Sequence, residues 1–219
     1  MEPKLIQEND QINSGLQRNI KIIEINQENN EQKQGNIEEA EKLFKQGEAL
    51  HNLQKYQEAI DCYDKAIQIN SKYEIAWNNK GSALRKLQQY QEAIDCYDKA
   101  IQINQKYDIA WNNKGSALRK LQKYYEAIDC YDKAIQINSK YNIAWNNKGY
   151  SLHQLKKYKD AIVCYDQRLS ICPDPVTLKL KADSLFELGN KREAKLCYIT
   201  ALEKGSNEKD FIKKQLSKL

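Results

Sequence analysis

The sequence EIAWNNKGSALRKLQQYQEAIDCYDKAIQINQKY occupies residues 74–107, and residues 108–141 repeat it as DIAWNNKGSALRKLQKYYEAIDCYDKAIQINSKY. The two segments of 34 residues differ at only four positions. A fixed period of this length indicates a protein built from tandem structural repeats. A unit this short cannot bury its own apolar face, so each unit must stack on its neighbours to form a continuous core.

Each unit has the pattern of two helices joined by a short turn. Apolar residues recur at helical spacing in the first half of residues 74–107 and again from Tyr90 onward. Gly81 lies inside the predicted first helix, where glycine costs about 0.5–1 kcal/mol relative to alanine. We therefore expect Gly81 to lie where another helix comes close, with the large side chain of Tyr97 filling the space beside small residues.

These residues resemble the signature of the tetratricopeptide repeat. The matching residues of the segment 74–107 are Trp77, Gly81, Leu84, Tyr90, Ala93, Tyr97 and Ala100. The resemblance implies an all-α fold, a right-handed superhelical α-solenoid of stacked antiparallel helix pairs with about five units and a C-terminal capping helix. The family serves many roles, so the resemblance is more specific for fold than for any one partner.

Five units and two flanking segments are predicted along the chain. The units, numbered one to five in this order, are expected at residues 40–73, 74–107, 108–141, 142–174 and 175–208, within a repeat domain of residues 36–208. Residues 1–35 are rich in Gln, Asn and Glu and are expected to be weakly ordered, with Asn36 as the N-cap of the first ordered helix. Residues 209–219 are expected to form a helix that caps the stack.

Two departures from the family pattern carry structural expectations. Arg168 stands in unit four where a small alanine belongs, so either the packing opens there or the arginine extends outward to solvent. Unit four ends at Pro173, but the first three units lack a proline at that place. Their second helices are therefore expected to be longer and more continuous with the next unit.

Charge divides the chain into an acidic start and a basic body. The net charge is +5, yet residues 1–39 hold four Lys/Arg against eight Asp/Glu, so the remainder carries +9. A basic body suits an acidic partner, nucleic acid, or solubility alone. There is no run of about 18 apolar residues and no secretory signal pattern, so we expect no membrane span and a cytoplasmic, intracellular protein.

Five of the six cysteines fall at equivalent places in the units and are expected to pack half-buried on the second helices. They are Cys62, Cys96, Cys130, Cys164 and Cys197. Equivalent points in successive units lie too far apart for a disulfide, which needs Cα atoms within about 7 Å, or for a shared metal site. This usage of cysteine fits a reducing compartment.

Catalytic chemistry is not predicted. The two histidines, His51 and His153, lie three units apart, so no Cys–His or Ser–His pair at one site can be argued. There is no Gly-rich phosphate loop, and acid pairs such as Glu92 and Asp95 recur in successive units as a solvated face would. We expect no enzymatic activity, no cofactor and no metal site.

The family resemblance also implies a binding groove. In the family, the first helices line the concave side of the superhelix and present side chains at six positions each. Transferred to the three central units, the lining consists of Asn78, Asn79, Ser82, Arg85, Lys86, Asn112, Asn113, Ser116, Arg119, Lys120, Asn146, Asn147, Tyr150 and His153. It resembles the asparagine ladders of some members, in which amide side chains hold a guest main chain.

We therefore expect a non-catalytic scaffold or adaptor that binds an extended peptide. The Arg–Lys pairs favour acidic or phosphorylated segments. Of the family's clamp for C-terminal carboxylates only Asn79 is present, which disfavours that kind of adaptor.

Several alternatives stay open at this point. In the first alternative, the asparagines are solvent-exposed helix surface that recurs only because the segment was duplicated. In the second, the basic body binds single-stranded nucleic acid. In the third, the chain is a regulatory or assembly subunit of an enzyme complex. Nucleic acid is less expected, since the core needs the tryptophans. A further hypothesis places the acidic residues 1–35 in the groove in cis. The sequence does not specify an oligomeric state or name the partner.

Overall fold

The computed structural model describes residue 21 and residues 32–219, and eleven helices follow one another between residues 32 and 219. Helix α1 spans residues 32–52. The others are α2 (Tyr56–Ile69), α3 (Glu74–Lys86), α4 (Tyr90–Ile103), α5 (Asp108–Lys120), α6 (Tyr124–Ile137), α7 (Asn142–Gln154), α8 (Tyr158–Ile171), α9 (Pro175–Glu187), α10 (Lys191–Glu203) and α11 (Lys209–Leu216).

The helices pack as consecutive pairs that stack in a single file. Helix α3 packs on α4, α5 on α6, α7 on α8 and α9 on α10, and the second helix of each pair also packs on the first helix of the next. Residues 32–219 contain no strand, and none of their helices is long and apolar enough to cross a bilayer. The predicted all-α solenoid of stacked helix pairs is confirmed.

The first helices lie on the inner side of this stack. Helix α3 contacts α5, α5 contacts α7 and α7 contacts α9. Successive second helices make no comparable contact within the described residues. A stack whose first helices touch while its second helices diverge must curve with the first helices on the inside, so α3, α5, α7 and α9 line a concave groove.

Each unit is centred on one buried tyrosine of its second helix. The largest fully buried side chains are Tyr63, Tyr97, Tyr131, Tyr165 and Tyr198. A Cβ added at Gly81 would lie 2.8 Å from Cε1 of Tyr97 and 3.0 Å from the carbonyl oxygen of Ala93. The structure therefore confirms that this glycine marks a close approach of the second helix.

The cysteines of the repeats pack in this core. Cys62, Cys96, Cys130 and Cys164 are buried, Cys197 is half-buried, and all six cysteines of the chain are free. Burial raises the pKa of Cys96 to about 11, so its thiol stays protonated and unreactive at neutral pH.

The expected N-cap at Asn36 is wrong. Residues 32–35 are already helical, so Asn36 lies inside α1 and the predicted boundary between residues 35 and 36 falls within a helix. Gln34 donates to Glu38 one turn later at 3.2 Å, a contact between good helix formers. The expectations of weak order and of a ligand in cis concern residues 1–35, of which the structure describes only residue 21 and the helical residues 32–35.

The second helices of units one to three are not lengthened by the missing proline. Helices α2, α4 and α6 have 14 residues each, the same as α8, which precedes Pro173. Asn70, Asn104 and Asn138 follow the three helices, and each side-chain oxygen accepts from the backbone N–H two residues later at 3.1–3.2 Å. This asparagine turn ends the helix where the family uses proline.

Arg168 neither opens the packing nor extends to solvent. Its guanidinium pairs with the carboxylate of Asp174 at 3.2 Å, donates to the carbonyl of Cys172, and leaves the side chain 15% exposed. Asp174 also caps α9, because its side chain accepts from the backbone N–H of Thr177 at 3.0 Å. The loop between units four and five thus neutralises the half-buried charge of Arg168.

The turn inside each unit uses a left-handed residue. Gln54, Gln88, Gln122 and Lys156 have φ between 60° and 64°, and unit five has Gly189 at φ 86°. The backbone N–H of the next residue closes the turn, as in Gln89 to the Leu84 carbonyl at 2.9 Å. Four of the five turns therefore accept a strained conformation that only unit five relieves with glycine.

Candidate functional site

The predicted lining lies on α3, α5 and α7, the central helices of the concave side, but its members differ in exposure. Lys86 and Lys120 are exposed. Asn78 and Asn112 are 4% exposed and Ser116 is 9% exposed, so these three are buried. The half-buried remainder comprises Asn79, Ser82, Arg85, Asn113, Arg119, Asn146, Asn147, Tyr150 and His153.

The asparagines hydrogen-bond across neighbouring first helices. Nδ2 of Asn113 donates to Oδ1 of Asn78 at 3.0 Å, and Nδ2 of Asn147 donates to Oδ1 of Asn112 at 3.0 Å. The same bond thus recurs at the α3–α5 and α5–α7 contacts. Because Asn78 and Asn112 are buried in these bonds, they hold the stack together and are not open to a guest.

The outer asparagines keep hydrogen-bonding capacity toward the groove. Within the described residues, Oδ1 of Asn113 and Oδ1 of Asn147 have no hydrogen-bond donor assigned to them, and an amide oxygen accepts up to two. At the ends of the row, Asn79 accepts from Asn78 at 3.2 Å, and Asn146 accepts from the Thr177 hydroxyl at 3.3 Å.

Further along α3, and again along α5, an arginine lies near the hydroxyl of the buried tyrosine from the second helix of the same unit. The Tyr97 hydroxyl lies near Ser82 and Arg85, both of which favour its ionised form, yet burial dominates and raises its pKa to about 12. Tyr131 has the same relation to Ser116 and Arg119, and burial raises its pKa as well. Both hydroxyls therefore keep their proton at neutral pH and can donate it.

These clusters contain unsatisfied donors. The Nε atoms of Arg85 and Arg119 and the hydroxyls of Tyr97 and Tyr131 are buried, and no atom of the described residues bonds to them in hydrogen-bonding geometry. Folded proteins pair nearly all buried polar groups, so such a set calls for an explanation.

Tyr150 and His153 complete the C-terminal side of the lining. The Arg119 guanidinium stacks over the Tyr150 ring, 4.9 Å from its centroid, a cation–π contact that steadies the arginine. Nδ1 of His153 lies 2.8 Å from the Ser184 hydroxyl on α9, and burial lowers the pKa of His153, which favours its neutral form.

Two acidic residues that the sequence reasoning missed stand at the ninth place of the terminal units, where units two and three have Ser82 and Ser116. They are Glu48 and Asp183. The Tyr198 hydroxyl donates to Oδ1 of Asp183 at 2.7 Å. Aligning the five units would have revealed the pattern, because the ninth residue is acidic only at the two ends.

A polar cavity marks the N-terminal end of the groove. It has a volume of about 200 Å³ and is lined by Glu48, His51, Asn52, Tyr63, Asn79 and Ser82. Burial and the nearby Lys86 and Arg85 charges lower the pKa of His51, so a neutral imidazole lies beside the basic centre. No group of three or more His, Cys, Asp or Glu side chains that could hold a metal ion converges within residue 21 and residues 32–219.

Family models match most of the stack. A model described as tetratricopeptide repeat matches residues 75–107, 109–141 and 143–175, and a second, described as TPR repeat, matches residues 47–87. Together they cover more than half of the chain. A comparison with curated proteins found no match.

Solved structures share the architecture at low sequence identity. The chain is similar to MamA (TM-score 0.69, 20% identity, covering 80% of this chain and 96% of that one). It is also similar to pilF of Pseudomonas aeruginosa (TM-score 0.73, 19% identity, 84% and 90% covered). A third is YrrB, described as a TPR protein with an unusual peptide-binding site (TM-score 0.67, 18% identity, 81% and 91% covered). At these identities the likeness shows the fold alone.

Proposed function

This chain belongs to the tetratricopeptide repeat family, and we propose that its concave groove binds an extended segment of a partner protein without catalysing a reaction. The fold suggests a protein–protein interaction scaffold. The observation that carries the proposal is the row of half-buried amide side chains on successive first helices, beside unsatisfied tyrosine and arginine donors.

The hydrogen-bonding capacity of the groove suits a main chain. Asn113 and Asn147 are held in place through their Nδ2 atoms, and each presents an Oδ1 acceptor at the same place in its unit. An extended polypeptide offers N–H donors at regular intervals and needs acceptors for them when it leaves water. Pre-positioned amides lower the entropic cost of holding such a guest.

The charge of the groove favours an acidic guest. Arg85, Lys86, Arg119 and Lys120 give the two central units four cationic groups on first helices. An acidic or phosphorylated segment would form charge-assisted hydrogen bonds with the guanidinium groups and associate faster through long-range attraction.

Single-stranded nucleic acid is a weaker candidate because the three tryptophans and Tyr150 of the first helices already make contacts within the chain. The indole N–H groups of Trp77, Trp111 and Trp145 donate to backbone carbonyls at 3.0–3.1 Å. One face of Tyr150 carries the Arg119 guanidinium. Stacking on free aromatic faces is what sequence-tolerant binding of single strands requires.

The compartment is a further part of the proposal. All six cysteines are free and four of them are buried, which suits a reducing environment such as the cytoplasm.

Peptide selection with matched charge variants tests the proposal. A displayed library of random peptides of about 12 residues, long enough to span several units when extended, is selected on the immobilised full-length chain. The most enriched peptide is then measured by fluorescence anisotropy against Arg85→Gln/Arg119→Gln, which we expect to bind about tenfold more weakly or worse.

The control is Lys99→Gln/Lys133→Gln, which removes the same two charges from exposed positions on the second helices α4 and α6. This control should keep the wild-type affinity. Equal losses in both variants would assign the binding to net charge, and failure to enrich any peptide would reject a peptide-binding groove. An enriched peptide that single-stranded oligonucleotides displace at equal affinity would favour nucleic acid.

A further inference from the structure

The tyrosine hydroxyls of the five units differ in whether the chain supplies their acceptor. In unit five, the Tyr198 hydroxyl donates to the carboxylate of Asp183 at 2.7 Å. In units two, three and four, the Tyr97, Tyr131 and Tyr165 hydroxyls are buried without any partner among the described residues. The ninth residue is serine in units two and three and tyrosine in unit four, so the carboxylate that completes unit five is missing from all three.

In units two and three the open hydroxyl is accompanied by a second donor. Nε of Arg85 and Nε of Arg119 are also buried and unpaired within the described residues, and each arginine lies near the tyrosine of its own unit. An arginine Nε–H can only donate, and a tyrosine hydroxyl can donate as well as accept, so an oxygen that carries negative charge could accept from both groups. As whole residues both arginines are only half-buried, so part of each side chain is open to an approaching guest group.

The distance between the Arg85–Tyr97 cluster and the Arg119–Tyr131 cluster sets the distance between the two charges that a guest would present. First helices in contact lie about 8–10 Å apart, and the two clusters occupy identical places on the neighbouring helices α3 and α5. A polyproline II segment has three residues per turn and rises about 3.1 Å per residue, so side chains at i and i+3 point the same way about 9 Å apart. In a β-strand, same-side residues lie about 7 or 13 Å apart, which fits less well.

We propose that the groove recognises an extended segment carrying two carboxylates three residues apart, one bound at Ser82–Arg85–Tyr97 and the other at Ser116–Arg119–Tyr131. This inference rests on the proposed peptide-binding function and deepens it. The terminal units take no guest carboxylate, because Glu48 and Asp183 already place an acid at the same point.

The first test is the spacing of acids among the peptides selected on the full-length chain. We expect pairs of Asp or Glu at i and i+3 to be enriched over pairs at i+2 and i+4. Enrichment at i+7 alone would mean a helical guest and would overturn the proposal, as would groove-dependent peptides with no preferred acid spacing. The latter result would leave the peptide-binding function standing, whereas an absence of enriched peptides would reject both.

The second test supplies the missing carboxylate from within the chain. Ser116→Asp reproduces the residue of unit five, so its carboxylate should accept from Tyr131 and occupy the guest's place. We expect the i, i+3 peptide to bind this variant about tenfold more weakly or worse, while Ser116→Asn retains more affinity. Ser139→Asp adds the same charge at an exposed place in the turn after α6 and serves as the control.

Folding of the variant is checked independently. Ser82→Asp makes the same change at a half-buried residue and should weaken the same peptide. The thermal unfolding midpoint of Ser116→Asp should equal or exceed that of Ser116→Asn, because the added carboxylate satisfies buried donors. Equal peptide affinity in Ser116→Asp and Ser139→Asp, or a midpoint of Ser116→Asp below that of Ser116→Asn, would contradict the proposal.

Discussion

Unit two and unit five share one backbone plan but complete it differently. Unit two has Gly81 against its buried tyrosine, a serine at the ninth place and Gln88 in the left-handed turn. Unit five has Ala182, Asp183 and Gly189 at the corresponding places. The central unit is packed more tightly and leaves polar donors open, whereas the terminal unit satisfies its own groups. The contrast between these two units is thus between open tyrosine and arginine donors in unit two and a tyrosine paired with Asp183 in unit five.

The largest expected effect comes from the tight packing of the central units. Gly81→Leu would force a side chain into Tyr97 and the Ala93 carbonyl, so we expect a loss of about 1–3 kcal/mol or more in the free energy of unfolding. Urea unfolding followed by circular dichroism measures it. Gly35→Leu is the control, because an added Cβ there meets nothing within 4 Å. Equal stability of the two variants would refute the close contact in unit two.

Removing the asparagine hydrogen bond between units two and three should cause the next largest loss in the free energy of unfolding. Asn113→Ala leaves the buried Oδ1 of Asn78 without its donor, which should cost about 1–3 kcal/mol. A double-mutant cycle with Asn78→Ala isolates the pair, and we expect a coupling energy of about 1 kcal/mol. Simple additivity of the two single substitutions would mean that the bond does not join the units.

Exchanging the turn residues of the central and terminal units should change stability in opposite directions. Gln122 has φ 61° and Gly189 has φ 86°, in the region where a side chain is strained. Gln122→Gly should therefore raise the free energy of unfolding by about 0.5–1 kcal/mol, and Gly189→Gln should lower it by a similar amount. Thermal melts of both variants measure the two changes in stability. A loss of stability in Gln122→Gly would show that the turn carries no strain.

The smallest expected effect is the pH dependence of stability that His51 in unit one and His153 in unit four contribute. Burial lowers the pKa of both His51 and His153, and Lys86 and Arg85 add to the effect on His51. Between each lowered folded-state pKa and the unfolded value of about 6.5, the unfolded chain binds more protons than the folded chain. Stability is therefore fully present above about pH 6.5 and declines as the pH falls through that window.

Melting temperatures between pH 7.5 and 5 follow this decline. The double variant His51→Gln/His153→Gln should show a shallower fall than wild type over the same range. A wild-type slope that the substitution leaves unchanged would assign the pH response to other groups.

The sequence predicted the fold well because the repeat is a local pattern stated several times. Trp77, Gly81 and Tyr97 each have one place in a helix pair, and the structure puts Gly81 against Tyr97. What the pattern did not reveal was the use of polar side chains between units. The bond from Asn113 to Asn78 and the pair of Arg168 with Asp174 depend on how neighbouring units dock, which residue spacing alone does not determine.

For the groove, the sequence predicted which residues line the concave side but not which of them are buried. The resemblance placed fourteen residues on the concave side without distinguishing buried Asn78 from half-buried Asn79, because residues adjacent in a helix differ in exposure only once the neighbouring helix is in place. The acids at Glu48 and Asp183 were visible in the sequence. Their meaning appears only when Asp183 is seen to accept from Tyr198.

The most direct test of the account is a two-dimensional NMR titration of the ¹⁵N-asparagine-labelled chain with the most enriched peptide. The account predicts shifts for Asn79, Asn113 and Asn147 in the groove, with Asn104 and Asn138 in the turns between units unchanged. Shifts confined to the turn asparagines, or none at a saturating peptide concentration, would contradict binding in the concave groove.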